Sequence, residues 1–362
     1  MLTVIGAASI SGYGHIYLLA TLAKQSGLKA CLEHVFGPEI TKDILSLVYF
    51  GITEAKALHF YPLWRESCAC NMLSELSSQK ISELLRIIAD SGEEIQEFFS
   101  TFAGHHGPIT GAWLDITSIS SYSKNDSFFE YGYNRDGETM PQINIGVLMG
   151  FPMHLPIMYE VYPGSINDVT TLHNIAIKTQ KINIPIESWV MDRGFFSTAN
   201  IDHMIQNNFK FVIGLPGNLK ECARLMQTNI PTTSLNVFKS GKHLLSYVEE
   251  ICTVGKHLLR AVVYFQHKRY VLEYTALLER VIDLENFIID NKFSSLEKLQ
   301  LLISEQVKLQ LPASCLLFTI ANGHIVAERN DEHIMLLLHG KGKFILITNQ
   351  HDLLPELLLS QY

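Results

Sequence analysis

Trp113-Leu114-Asp115-Ile116-Thr117-Ser118-Ile119 and, further along, Trp189-Val190-Met191-Asp192-Arg193-Gly194 are the stretches on which the reading of this chain turns. Each is an apolar run of strand character. The first is interrupted by an aspartate and the second is ended by one. A carboxylate buried without a partner is costly, so an aspartate in such a run requires a metal, a cation or hydrogen bonds. Two carboxylates on neighbouring strands repel each other, and divalent cations remove that repulsion. The result is an oxygen-rich site suited to magnesium and to phosphoryl chemistry. Taken singly, either aspartate is as readily the cap of the turn that follows it.

Outward from these runs, residues 143–149 and 155–161 read as two more strands, the second ended by Pro163-Gly164. The polar stretch 121–140 between the first two strands has the composition of a long turn. Asn167-Asp168 stands where a helix N-cap belongs, ahead of the apolar positions Val169, Leu172, Ile175 and Ile177. Residues 198–207 read as a short helix and 209–214 as a fifth strand. Three adjacent strands followed by alternation, β-β-β-α-β-α-β, is the order of an RNase H-like mixed sheet, whereas a doubly wound sheet alternates from the start. The expected fold is therefore α/β, an RNase H-like mixed sheet with flanking helices.

Before this core, residues 13–103 place apolar side chains at helical spacing, with breaks at Gly27, Gly37-Pro38 and Ser91-Gly92. After it, residues 215–340 are less regular. There 244–254 and 258–271 have strand character, 273–290 and 296–307 helical character, and 316–327 and 334–338 strand character again. Residues 343–348 form a clear strand, and a helix begins at Leu353. The expected organisation is a helical N-terminal region, 1–110, the first part of the core, 111–214, a strand-containing insertion, 215–340, and the last core strand with the start of a final helix, 341–362.

The chain has 362 residues, 47% hydrophobic and 18% charged. That suffices for a sizeable core and, as a soft prior, two or three domains, and it excludes a disordered or collagen-like chain. The net charge of −8, from 28 basic and 36 acidic residues, argues against coating nucleic acid through bulk charge but leaves room for a local basic groove. The densest basic stretch is 239–269, where Lys239, Lys242, Lys256, Arg260, Lys268 and Arg269 face only Glu249 and Glu250. Phe238, Tyr247, Tyr264, Phe265 and Tyr270 are interleaved with them, a pattern suited to backbone contact and stacking on DNA, and equally to a solvated strand face. The six cysteines include no C-x-x-C pair, so they read as buried thiols of a reducing cytoplasm rather than zinc ligands. The uncharged first 23 residues are interrupted by Gly6, Gly12, Gly14 and His15 and lack a basic start, so neither a signal peptide nor a membrane span is expected.

The words around the two aspartates fall in one order: Tyr131-Gly132-Tyr133-Asn134-Arg135-Asp136-Gly137, then Pro141-Gln142-Ile143-Asn144, then Tyr159-Glu160-Val161-Tyr162-Pro163-Gly164, then Asn167-Asp168, then Asp192-Arg193-Gly194-Phe195. Together they resemble the DDE transposases of bacterial insertion sequences, of the insertion sequence 4 type and nearest its 1634-like branch. The resemblance runs from about Ala112 to Gly214 and resumes over 343–362; residues 12–36 share it more loosely. It implies that Asp115 is the first metal-binding catalytic carboxylate and Asp192 the second, with Arg193 beside it as a DNA contact. It further implies a two-ion Mg2+ or Mn2+ site, cleavage and strand transfer on transposon ends and target DNA, a homo-oligomer, no membrane association, and a place in the bacterial cytoplasm at the nucleoid. Asp168 matches the family's word after Pro-Gly but reads more simply as a helix N-cap.

In that family the third carboxylate follows the last strand in the pattern Y-x2-R-x3-E-x6-K. Here Tyr362 falls on the tyrosine, and the arginine, glutamate and lysine would follow it. The expectation is a chain truncated before its third acid, with little or no strand-transfer activity as given. Glu356 and Glu273 do not match the pattern, and Glu356 reads as a favourable charge near a helix N-terminus. Three alternatives stand beside this reading: a non-catalytic remnant that binds DNA or partner subunits, another RNase H-like metal nuclease, and a structural module whose aspartates cap turns. Among the weaker signals, His105-His106 reads as a solvated linker and Gly340-Lys341-Gly342-Lys343 as a basic hairpin turn, because it precedes a strand instead of joining strand to helix.

Overall fold

The computed structural model describes residues 12–68, 71–122, 128–132, 137, 139–166, 168–230, 236–291, 293, 295, 297, 299, 315–321 and 324–362. The chain divides into two units, Met1–Asn167 with Thr171–Glu187, and Asp168–Thr170 with Ser188–Tyr362. Its class is mixed α/β, with helices flanking a mixed sheet, as the sequence predicts.

The first unit opens with helices α1 (Gly14–Gln25), α2 (Leu28–Glu54), α3 (Tyr61–Glu66), α4 (Ser78–Asp90) and α5 (Gly92–His105). The break expected at Gly37-Pro38 is a kink inside α2. Gly37 takes φ 77° and ψ 167°, and Pro38 cannot supply the helical N–H. The Ser77 hydroxyl caps α4 by accepting the Lys80 N–H. Phe50, Tyr61 and Trp64 pack edge-on and tilted in a buried cluster with Ile16, Leu32 and Leu45. The buried Tyr61 hydroxyl donates to the Ser74 carbonyl at 2.6 Å, which satisfies its polar end. His105 closes α5 instead of lying in a linker, and His106 caps its end.

Strands β1 (Gly111–Ser120), β2 (Gln142–Phe151) and β3 (Leu155–Pro163) then form an antiparallel meander, with Asp115 opposite Val147. Helix α6 (Asp168–Lys181) follows. Its Ile175 lies so near β2 that a Cβ on Gly146 would stand 3.0 Å from the Ile175 Cδ1, so the glycine admits the close approach. Asn167, the side chain of Asp168 and residues 133–136 fall outside the described residues, as does most of 296–307.

The second unit carries a six-stranded mixed sheet in the order β4-β5-β11-β8-β7-β6. Here β4 is Ser188–Met191, β5 Lys210–Gly214, β6 Val237–Ser240, β7 His243–Val254, β8 His257–Gln266 and β11 Lys343–Thr348. The pairing β4–β5 is parallel, joined through α7 (Thr198–Gln206), and the other pairings are antiparallel. All four residues of β4 are buried, which explains its unbroken apolar run. Helix α8 (Lys220–Met226) follows β5. A further cluster joins α9 (His267–Asn291), the hairpin β9 (Leu316–Ala321) and β10 (His324–Arg329), and α10 (Asp331–His339), through Leu277, Val281, Leu284, Leu316, Ile325 and Ile334. Helix α11 (Pro355–Gln361) ends the described chain.

Three elements differ from expectation. The strand predicted over 258–271 stops at Gln266, where α9 begins. Residues 334–338 lie in α10, because the Asn330 side chain caps that helix by accepting the His333 N–H and sets Ile334 and Leu338 on one buried face. The Gly340–Lys343 turn joins α10 to β11, helix to strand, and is not a hairpin. Among the described residues no helix is long and apolar enough to cross a membrane.

Candidate active site

In the first unit Asp115 sits in the middle of β1, where the pleat alternates strictly. Leu114 and Ile116 are buried, while Asp115, Thr117 and Ile119 are exposed. The expectation of a carboxylate buried in an apolar strand is therefore corrected: the neighbours of Asp115 in sequence face the other side of the strand. Its Oδ1 accepts the Ile116 N–H at 2.9 Å.

In the second unit Asp192 emerges from the end of the buried strand β4 and is exposed. Its Oδ1 accepts the Gly194 N–H at 2.7 Å and caps the single 3-10 turn Arg193–Phe195. Phe195 is fully buried and anchors that turn. The side chain of Asn200, also buried, donates to the carbonyls of Phe195 and Val169, both at 2.8 Å. Asn200 was not singled out from the sequence, and only its place one turn into α7, after the Ser197 cap, marks it.

Gly214, the last residue of β5, shows why a glycine stands there. A Cβ would lie 2.8 Å from the Tyr362 hydroxyl and 3.3 Å from the Arg193 backbone nitrogen. Burial and the Asp192 carboxylate both hold the Tyr362 hydroxyl above its ordinary pKa, with Arg193 acting in the opposite direction. The end of α11 thus meets the Asp192 turn within this unit. The approach to α11 is fixed by Asn349, whose side chain accepts the Phe211 N–H at 3.1 Å and donates to the Phe209 carbonyl at 2.8 Å. Gln350 adds a bond to the Ser188 hydroxyl at 3.0 Å. Neither residue carries a sequence signal beyond its place after an apolar strand.

Of the basic residues singled out, Lys239, Lys242, Lys256, Lys268 and Arg193 are exposed. Arg269 is also exposed, and its Nε lies 2.8 Å from Glu273. Arg260 is a correction to the expected basic face. It is 9% exposed, and its guanidinium donates to Glu249 at 2.7 Å, to the Gln350 carbonyl at 3.0 Å and to the Leu353 carbonyl. It ties β8 to the segment leading into α11 rather than facing outward. Lys343 is likewise buried, donating to the carbonyls of Met226 and Thr228 at the end of α8, and burial lowers its pKa.

Exposed carboxylates, here one on a strand and one at a strand end, are hard oxygen donors, the donor type that suits Mg2+ or Mn2+. Among the described residues no group of three or more His, Cys, Asp or Glu side chains is gathered into a metal-holding cluster. The sequence profile of the family described as transposase DDE domain matches residues 106–304, more than half of the chain, and the matched region contains both Asp115 and Asp192. The chain belongs to the transposase DDE domain family. The chain order β1-β2-β3-α6-β4-α7-β5 within the matched region is the order predicted from the sequence. Among solved structures, the DDE domain chain is similar to the piggyBac transposase in a synaptic complex with hairpin DNA, at 12% identity and a TM-score of 0.32. That similarity covers 73% of this chain and 52% of the piggyBac chain, so the chain spans about half of the solved one. No curated protein matches it.

Proposed function

We propose that the chain is a DDE-type DNA transposase that acts on transposon ends and target DNA by metal-dependent phosphoryl transfer. We place it with bacterial insertion sequences of the insertion sequence 4 type, nearest the 1634-like branch. The observation that carries this reading is the family match over residues 106–304, which takes in both aspartates. In this reading Asp115 and Asp192 would each offer carboxylate oxygens to Mg2+ or Mn2+. Such a cation would supply a lowered pKa for an attacking water or 3′-hydroxyl and stabilisation of the leaving oxygen of an in-line displacement. Both aspartates are exposed to solvent. The bond from Gly194 fixes the Asp192 carboxylate, and Asn200 fixes the turn that bears it.

Arg193, Lys239, Lys242, Lys256, Lys268 and Arg269 contact DNA phosphates in this reading. Residues 111–214 and 341–362 form the catalytic core, 1–110 a helical region before it and 215–340 an insertion within it. The working form is a homo-oligomer in the bacterial cytoplasm, at the nucleoid. Mn2+ titration by calorimetry, run beside a DNA-cleavage assay, tests the assignment. Asp115→Asn and Asp192→Asn are each expected to weaken Mn2+ binding and to abolish any metal-dependent cleavage. Mn2+ binding that both variants leave unchanged would overturn it.

A further inference from the structure

Tyr131 leaves 71% of its surface in solvent, yet the backbone on both sides of it is fixed. Glu130, just before it, exchanges two backbone hydrogen bonds with Gln142 at 3.1 and 2.9 Å, and its carboxylate meets the Ser165 hydroxyl. Gly132, just after it, lies so close to Gly164 that a Cβ there would stand 1.8 Å from the Gly164 carbonyl oxygen. A Cβ on Gly164 would in turn stand 2.3 Å from the Glu130 carbonyl oxygen. Gly164 is itself held by buried amides. Its carbonyl accepts from Asn144 at 3.2 Å and from Gln142 at 3.4 Å, and Asn144 also donates to the Ile166 carbonyl at 2.8 Å and accepts from Ser118 of β1 at 2.9 Å. Burying two amide side chains is costly unless they are bonded, and here the bonds of both converge on the carbonyl of Gly164, the residue against which Gly132 packs.

We infer that Tyr131 is a nucleobase-stacking contact for DNA, mounted by Gln142 and Asn144; this rests on the DNA-transposase reading. A tyrosine ring presents a large apolar face with few rotatable bonds, and stacking on it tolerates any base. Its place can be read from the strand register of the first unit. Gln142 lies opposite Ser120, five residues along β1 from Asp115 (120 − 115). That is about 17 Å along β1 at the rise of a strand.

The test is fluorescence anisotropy of the full chain with a fluorescein-labelled oligo(dT) strand and with a blunt duplex. Tyr131→Ala is expected to weaken oligo(dT) binding about tenfold, within the range of losses of a single stacked base, and to weaken duplex binding less. Tyr131→Phe and Tyr131→Trp are expected to bind as the parent does. A thermal melt unchanged by Tyr131→Ala, expected of so exposed a side chain, keeps the effect apart from unfolding. Parent-like oligo(dT) binding by Tyr131→Ala overturns the contact while leaving the DNA reading intact. Tyr131→Phe as weak as the alanine variant also overturns it, because the hydroxyl and not the ring would then be at work. Binding of neither probe by the parent chain overturns the DNA reading and the contact with it.

Discussion

Gly214 and Arg260 show what single residues fix within the second unit. At Gly214 the open space is filled by the Tyr362 hydroxyl, so Gly214→Ala is expected to push that ring out of its seat. The cost is about 1–3 kcal/mol, as for overpacking elsewhere, and urea unfolding measures it. Arg260→Ala removes donors from two backbone carbonyls and from Glu249 in a nearly buried place, so a loss of about 2–4 kcal/mol is expected. Lys239→Ala and Lys256→Ala, both on exposed side chains, are expected to change stability by no more than about 0.5 kcal/mol in the same experiment. The contrast separates Arg260 from the basic residues it accompanies in sequence. Charge and neighbourhood were legible there; the inward direction of this one side chain was not, because it depends on carbonyls 90 and 93 residues away in the chain.

At the scale of elements, the helical N-terminal region was legible from spacing alone, and its punctuation was also legible. The Gly37-Pro38 pair marks the kink of α2 correctly, though the helix resumes beyond it. At φ 77° and ψ 167°, Gly37 occupies a region that side-chain-bearing residues avoid, while nothing lies within 4 Å of its Cβ position. Gly37→Ala is therefore expected to cost about 1–3 kcal/mol through backbone strain alone, seen as a lower melting temperature by circular dichroism. The strand read over 334–338 failed for a different reason. Its apolar residues satisfy either period over so short a run, and the Asn330 cap decides for helix.

For the whole molecule, tyrosine hydroxyls seated in the fold predict the response to alkali. Burial raises the pKa of Tyr61, Tyr162 and Tyr264 above the ordinary value of 10.0, and partial desolvation of the hydroxyl does the same for Tyr362, whose residue is 44% exposed. A raised pKa means that the folded chain holds these protons more tightly than the unfolded one. The stability linked to them is intact below pH 10 and is lost as the pH rises through the shifted values. Chemical denaturation at pH 8 and again above pH 10 checks this, and Tyr362→Phe is expected to soften the alkaline loss.

The sequence by itself determined the class of the fold and the order of its elements from β1 to β5, because apolar period and turn residues are local properties of the chain. It also determined the family, through motif words in a fixed order. Only the tertiary structure decided that Asp115 and Asp192 are exposed rather than buried, that Arg260 faces inward, and that Gly214, Asn200 and Tyr362 surround the Asp192 turn. Those facts depend on which distant backbone atoms lie beside each side chain, and spacing along the chain carries no record of that.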